Sequence, residues 1–113
     1  MRVLLVEDNE LVRVPLEFAL TAEGHVCRAV AGFSHAETLV TEDGWDALIS
    51  NVRLLGRGSG MRLAELALEL SIPCLLIAGG PEDIETLAKA GVPYLAQPFP
   101  LAEVLEWLRD VAG

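Results

Sequence analysis

The sequence predicts an α/β fold, a five-stranded doubly wound parallel sheet with helices on both faces. Two observations lead there. Short apolar runs at 3–6, 25–30, 47–51, 73–78 and 92–96 have the length and the aliphatic content of buried strands. Each run is followed by a stretch with helical spacing or helix-start residues. Strands and helices therefore alternate along the whole chain, which is the pattern of parallel sheets with crossover helices.

The organising run is Ala47-Leu48-Ile49-Ser50-Asn51. In open α/β sheets the reactive chemistry lies at the carboxyl ends of central strands. The residue in that place here is Asn51, a neutral amide and a very poor nucleophile.

In chain order, Val3 to Val6 forms the first strand and Glu7-Asp8-Asn9-Glu10 follows it, with Asn9 as N-cap. Leu11 to Ala22 is the first helix, with Leu11, Val14 and Phe18 at helical spacing and Gly24 ending it. Pro15 lies about two turns in and predicts a kink or an irregular first turn. His25 to Val30 is the second strand. Ser34-His35-Ala36-Glu37 fits a capping box, so a second helix runs from about His35 to Thr41. Asp43-Gly44 turns into the third strand. Ser59 or Gly60 caps a third helix, Met61 to Leu70, with Leu63, Leu66, Ala67 and Leu70 inward. Pro73 to Ala78 is the fourth strand.

Pro81 takes the favoured first position of a fourth helix, whose core face is Ile84, Leu87 and Ala88 and whose end is Gly91. Val92 to Ala96 is the fifth strand. Pro98 and Pro100 precede a last helix with Leu101, Val104, Leu105 and Leu108 inward.

The 113 residues suit one domain, spanning 1–113, and 52% are apolar, enough for a core. No stretch approaches the ~20 apolar residues of a membrane span, and Arg2-Val3-Leu4-Leu5-Val6 is too short for a signal peptide. The expected location is the cytoplasm. A net charge of −9 with a single lysine, Lys89, argues against binding to nucleic acid or anionic membranes. The glycine-rich run 56–60 lacks the spacing and the lysine of a phosphate-binding loop. Cys27 and Cys74 lack metal-ligand spacing and read as small core residues.

Over almost its full length the chain resembles the receiver domain of bacterial two-component response regulators. Four stretches carry the resemblance in order: Glu7-Asp8 after the first strand, Asp46 to Leu54 around the third, Pro73 to Ala78 at the fourth, and Ala90 to Phe99 around the fifth. It implies a flavodoxin-like sheet of order 2-1-3-4-5. That order would hold Cys27 and Cys74 roughly 14 Å apart, too far for the about 7 Å limit of a disulfide.

The family resemblance implies an aspartate phosphoacceptor at the place of Asn51, a Ser or Thr at Ala78 and a lysine at Gln97. It also implies Mg²⁺ held by the acidic pair, the phosphoacceptor and the backbone carbonyl of residue 53. This chain keeps Glu7, Asp8 and an aromatic switch residue, Tyr94, and lacks the nucleophile, the hydroxyl and the lysine. Phosphoryl uptake needs a carboxylate nucleophile, and Mg²⁺ favours charged oxygen ligands. No cofactor is therefore expected beyond weak divalent-cation binding at Glu7 and Asp8. The Asn51 amide is expected to donate to Asp8, and Arg53 is a candidate partner for the acidic pair. The swaps at 51 and 97 remove one negative and one positive charge, leaving the local sum unchanged.

Trp107 flanks the inward stripe of the last helix and is a candidate interface residue on the face of the fourth helix, fifth strand and fifth helix. Trp45 reads as packing. The resulting expectation is a degenerate receiver without enzymatic activity, a phosphorylation-independent interaction module in bacterial signalling. Its partner would be a histidine kinase or another regulator, or a second copy through the fourth-helix face. No sequence remains for an output domain, so it acts through another chain or is a fragment of a longer one. Two alternatives are a noncovalent small-molecule or metal switch in the same pocket, and a small flavodoxin-like redox enzyme.

Overall fold

The computed structural model describes residues 1–54 and 59–113. Strands β1 (Arg2–Val6), β2 (Val26–Val30), β3 (Ala47–Asn51), β4 (Cys74–Ala78) and β5 (Tyr94–Ala96) form one parallel sheet of order β2-β1-β3-β4-β5. The expected architecture and strand order are both present. In β1, β3 and β4, the central strands, all but one end residue is fully buried, because helices cover both faces. Of the glycine-rich run, residues 56–58 lie outside the described residues, while Ser59 and Gly60 are within them.

Helix α1 (Glu10–Ala22) is capped by Asn9, whose side chain accepts from the Leu11 N–H, and it continues through Pro15. Its inward residues are Leu16 and Leu20, while Leu11, Val14 and Phe18 are exposed. The helix is where it was expected, but its apolar stripe at Leu11, Val14 and Phe18 faces solvent. Leu16 and Leu20 each lie about 160° from Phe18 around the helix, so a single helix carries two apolar faces and the sheet accepts only one.

Helix α2 (Phe33–Val40) begins earlier than the capping box implied. Gly32 is its N-cap and makes no side-chain bond. Phe33 is buried with Leu4, Leu39 and Leu48, and burying a phenyl ring outweighs the ~1 kcal/mol of a serine cap. Trp45 is packing, as expected: it is buried and its indole N–H donates to the Leu39 carbonyl at 2.7 Å.

Helix α3 (Gly60–Glu69) is capped by Ser59, which accepts from the Arg62 N–H. Leu63 and Ala67 are buried and Leu66 packs partly against the core, but Leu70, the helix C-cap, is exposed. Helix α4 (Pro81–Ala90) starts on Pro81 and ends on Gly91 at φ 71°, both as read from the sequence. Of its expected core face only Leu87 is fully buried; Ile84 is half-buried and Ala88 is exposed.

Helix α5 (Leu101–Ala112) buries Val104 and Leu108, whereas Leu101 is exposed. The cysteines are free, on strands separated by β1 and β3. Burial pushes both thiols up to about 12.

Candidate functional site

The carboxyl ends of β1, β3 and β4 meet at one rim of the sheet. Register places Asn51 beside Ile77, and the Val52 N–H bonds the Ile77 carbonyl at 2.9 Å. Ala78, three residues before the start of α4, is buried beside Ala96. Glu7 follows β1 directly, and its N–H bonds the Val30 carbonyl at 3.1 Å, which extends the ladder to β2 by one residue.

The Asn51 side-chain amide donates to Glu7 Oε1 at 3.1 Å. The partner is Glu7, not the expected Asp8, because Glu7 is the fully buried member of the acidic pair and Asp8 is half-exposed. The backbone N–H of Asn9 donates to the same Oε1 at 3.0 Å. Glu7 Oε2 is buried and has no hydrogen-bond partner among the described residues. Burial raises the Glu7 carboxyl above its ordinary 4.5, against the lowering bonds from Asn9 and Asn51, and neighbouring Asp8 adds to the rise.

Arg53 does not reach the acidic pair. Its Nε lies 2.8 Å from Asp83 Oδ2 in the first turn of α4. Acidic first-turn residues favour the helix N-terminus, and Arg53 ties the β3–α3 segment to that turn. A residue the sequence reading passed over, Arg13, donates from Nη1 to the Glu7 carbonyl at 2.9 Å. Its signal was present: one turn after the Asn9 cap, a long basic side chain on α1 can turn back to the loop before it.

Gln97 is joined to the site by its backbone N–H, which bonds the Ala78 carbonyl at 2.9 Å. Its side-chain Oε1 lies over Gly79, where an added β-carbon would come within 3.0 Å. Gly60, by contrast, is required, since a β-carbon there would collide with the Asn51 carbonyl, a backbone atom. Tyr94 is half-buried on the cluster of Val52, Leu76, Ala78 and Leu87. Trp107 is half-buried and distant in the fold from the acidic rim, against the cluster on the α1 and α5 face of the sheet.

The chain is similar to known proteins over almost its full length. No family model matches the chain. The transcriptional regulatory protein TcrA of Mycobacterium tuberculosis is 34% identical over 116 residues, covering 99% of this chain and 46% of TcrA. The receiver domain of HemR from Leptospira biflexa, in its non-phosphorylated form, superimposes with a TM-score of 0.81 at 28% identity, covering 97% of this chain and 92% of that one. The chain belongs to the receiver-domain family of response regulators.

A receiver domain of the sensor histidine kinase PA1611 from Pseudomonas aeruginosa, 26% identical with a TM-score of 0.84 over 99% of this chain and 98% of that one, holds a magnesium ion in its active-site cleft. The chain spans about half or less of the curated relatives it matches, 16% to 49% of their lengths. This receiver domain is thus a module of two-component signalling. Among its described residues no helix is long and apolar enough to cross a membrane.

Proposed function

We propose that this receiver domain is a pseudo-receiver, a phosphorylation-independent protein interaction module of 113 residues in bacterial signal transduction. One observation carries the reading: the residue at the end of β3 is an amide whose NH₂ is bonded to Glu7. A phosphoryl acceptor must present an electron pair on a nucleophilic oxygen. The Asn51 amide has none of that character, and Ala78 and Gln97 supply neither a hydroxyl nor an ammonium group to hold phosphoryl oxygens.

The donor set does not suit a resident Mg²⁺. The NH₂ that Asn51 turns toward Glu7 offers no lone pair to a metal. Two carboxylates remain, Glu7 and Asp8, and the described residues contain no cluster of three or more His, Cys, Asp or Glu able to hold a metal. A divalent cation would be held weakly there, by Glu7 Oε2 and Asp8.

The domain is not an enzyme on this reading, and it works in the cytoplasm by contact with a protein partner. A histidine kinase, another regulator, or a second copy docked through α4, β5 and α5 with Trp107 would each serve. A net charge of −9 makes nucleic acid and anionic membranes poor partners. No observation favours redox chemistry in an acidic pocket of this kind.

The deciding experiment adds Mg²⁺ and then acetyl phosphate, with amide NMR and intact mass on the same sample. An unchanged mass, with no shifts at Asn51, Ala78 and Gln97, is expected. Shifts without mass gain would move the reading to a noncovalent ligand switch. A gain of one phosphoryl group in this pocket would overturn it.

A further inference from the structure

A second concavity lies away from the acidic rim, between α3, the α4–β5 turn and the end of α5. Its volume is about 570 Å³, within the range of small-molecule sites. Met61, Leu68, Cys74, Val92, Trp107 and Val111 are among the residues that line it. Cys74 opens β4 and Val92 precedes β5, so the floor of the groove lies toward the amino ends of these strands, opposite Glu7 and Asn51.

We propose that this groove binds a small, largely apolar molecule without negative charge, and that occupancy reaches Tyr94 through shared packing. The inference rests on the reading that phosphoryl transfer is not the input to this domain.

Size selects a small molecule over a protein. Thirteen residues line the groove, whereas a stable protein interface takes about 20–30 residues a side. Charge selects against anions. Glu65 is the charged residue of the lining, and Arg62 lies 3.1 Å from it. The whole chain carries −9. The Met61 thioether and the Trp107 indole are adaptable, polarizable surfaces that suit a flat or aromatic guest.

The route to Tyr94 is equally concrete. Met61, Ala64, Cys74 and Val92 pack on the cluster of Val52, Leu76, Ala78 and Leu87, and Tyr94 packs on the same cluster. Helix α4 is attached to it by Leu87, its one fully buried residue. A guest that fills the groove changes the packing of α4 and Tyr94 without involving Asn51. A ligand shifts an equilibrium only through contacts that differ between states, so the coupling requires that filling the groove change the packing of this shared cluster.

The test titrates the neutral dye N-phenyl-1-naphthylamine into the full chain. One saturable site is expected, with quenching of Trp107 emission that Trp107→Phe removes, and with shifts of the Tyr94 ring resonances. Leu68→Glu, at a position 81% exposed and therefore safe for folding, should weaken binding about tenfold by placing a carboxylate at an apolar site. Ala64→Trp, which fills the groove, should do the same. Leu101→Glu, beside a separate apolar hollow near Gln97, should leave binding unchanged.

Absence of saturable binding, or binding indifferent to both Leu68→Glu and Ala64→Trp, would overturn the site. Binding that leaves Tyr94 unmoved would overturn the coupling. The two readings fail separately. Phosphoryl uptake from acetyl phosphate would sink the pseudo-receiver and leave dye binding standing, whereas no dye binding without phosphoryl uptake would sink the groove alone.

Discussion

Asn51 Nδ2 lies 3.1 Å from Glu7 Oε1, and this hydrogen bond joins β3 to the end of β1 at the carboxyl rim of the sheet. It gives the buried carboxylate a neutral donor where an aspartate would give it a second negative charge. Asn51→Asp should therefore destabilise the metal-free domain, by about 1–3 kcal/mol for a lost bond and an added buried charge. Millimolar Mg²⁺ should restore part of that loss in the variant and do little for the native chain. Urea unfolding with and without Mg²⁺ measures both; equal stability of the two chains would refute the role given to Asn51.

Glu7 predicts a pH dependence of definite sign. Burial raises its carboxyl in the folded state above the ordinary 4.5. Between that value and the folded value the native state holds more protons than the unfolded one, so stability falls as pH rises through the window. The favourable contribution is complete below 4.5 and is gone once Glu7 ionises. Glu7→Gln retains an oxygen for Asn51 and Asn9 and places a neutral NH₂ at the orphaned position. It should be more stable than the native chain by about 1 kcal/mol at neutral pH, with the difference shrinking towards pH 4.5. A difference that grows on acidification would reverse the argument.

Arg53 and Asp83 form an ion pair with Arg53 well exposed, 75% of its side chain. Such pairs contribute little to global stability, about 0.2–1 kcal/mol. Arg53→Ala should hardly move the unfolding midpoint, yet it should speed amide exchange in the first turn of α4, a helix with one fully buried residue, Leu87. Exchange unchanged in residues 82–84 would show that the pair does not hold the helix.

Helix α1 offers a direct test of which of its faces is inside. Leu16→Ala should cost about 2–5 kcal/mol, as a cavity under the sheet. Phe18→Ala, at a residue 75% exposed, should cost less than about 0.5 kcal/mol. Thermal or denaturant unfolding of the two variants distinguishes the faces, and equal losses would mean that α1 is rotated from its described position.

Gly60 is sterically compelled. A methyl group there would meet the Asn51 and Val52 backbone, neither of which can swing aside as a side-chain tip can. Gly60→Ala should lose about 1–3 kcal/mol by overpacking and should shift the Asn51 resonances. A neutral substitution would show that α3 can draw back from β3 without loss.

Much of this was legible in the sequence because it is local. Apolar runs of strand length, Pro81 at a helix start, Gly91 at a helix end and Asn9 as a cap each depend on a few neighbouring residues, and the order of elements follows from them. The neighbourhood of Asn51 and Glu7 was also legible: Asn51 stands at the end of the central run, Glu7 and Asp8 follow the first, and adjacent parallel strands bring these ends together. Tertiary structure decided what depends on distance. It selected Leu16 and Leu20 over Leu11 and Phe18, because α1 is apolar on two sides and only contact with the sheet chooses between them. It started α2 at Phe33, where ring burial exceeds the value of a serine cap. It gave Asn51 to Glu7 instead of Asp8 and Arg53 to Asp83 instead of the acidic pair. Hydrogen bonds and ion pairs of that kind are settled by which group is buried and which is within reach, and neither property is written in the spacing of residues along the chain.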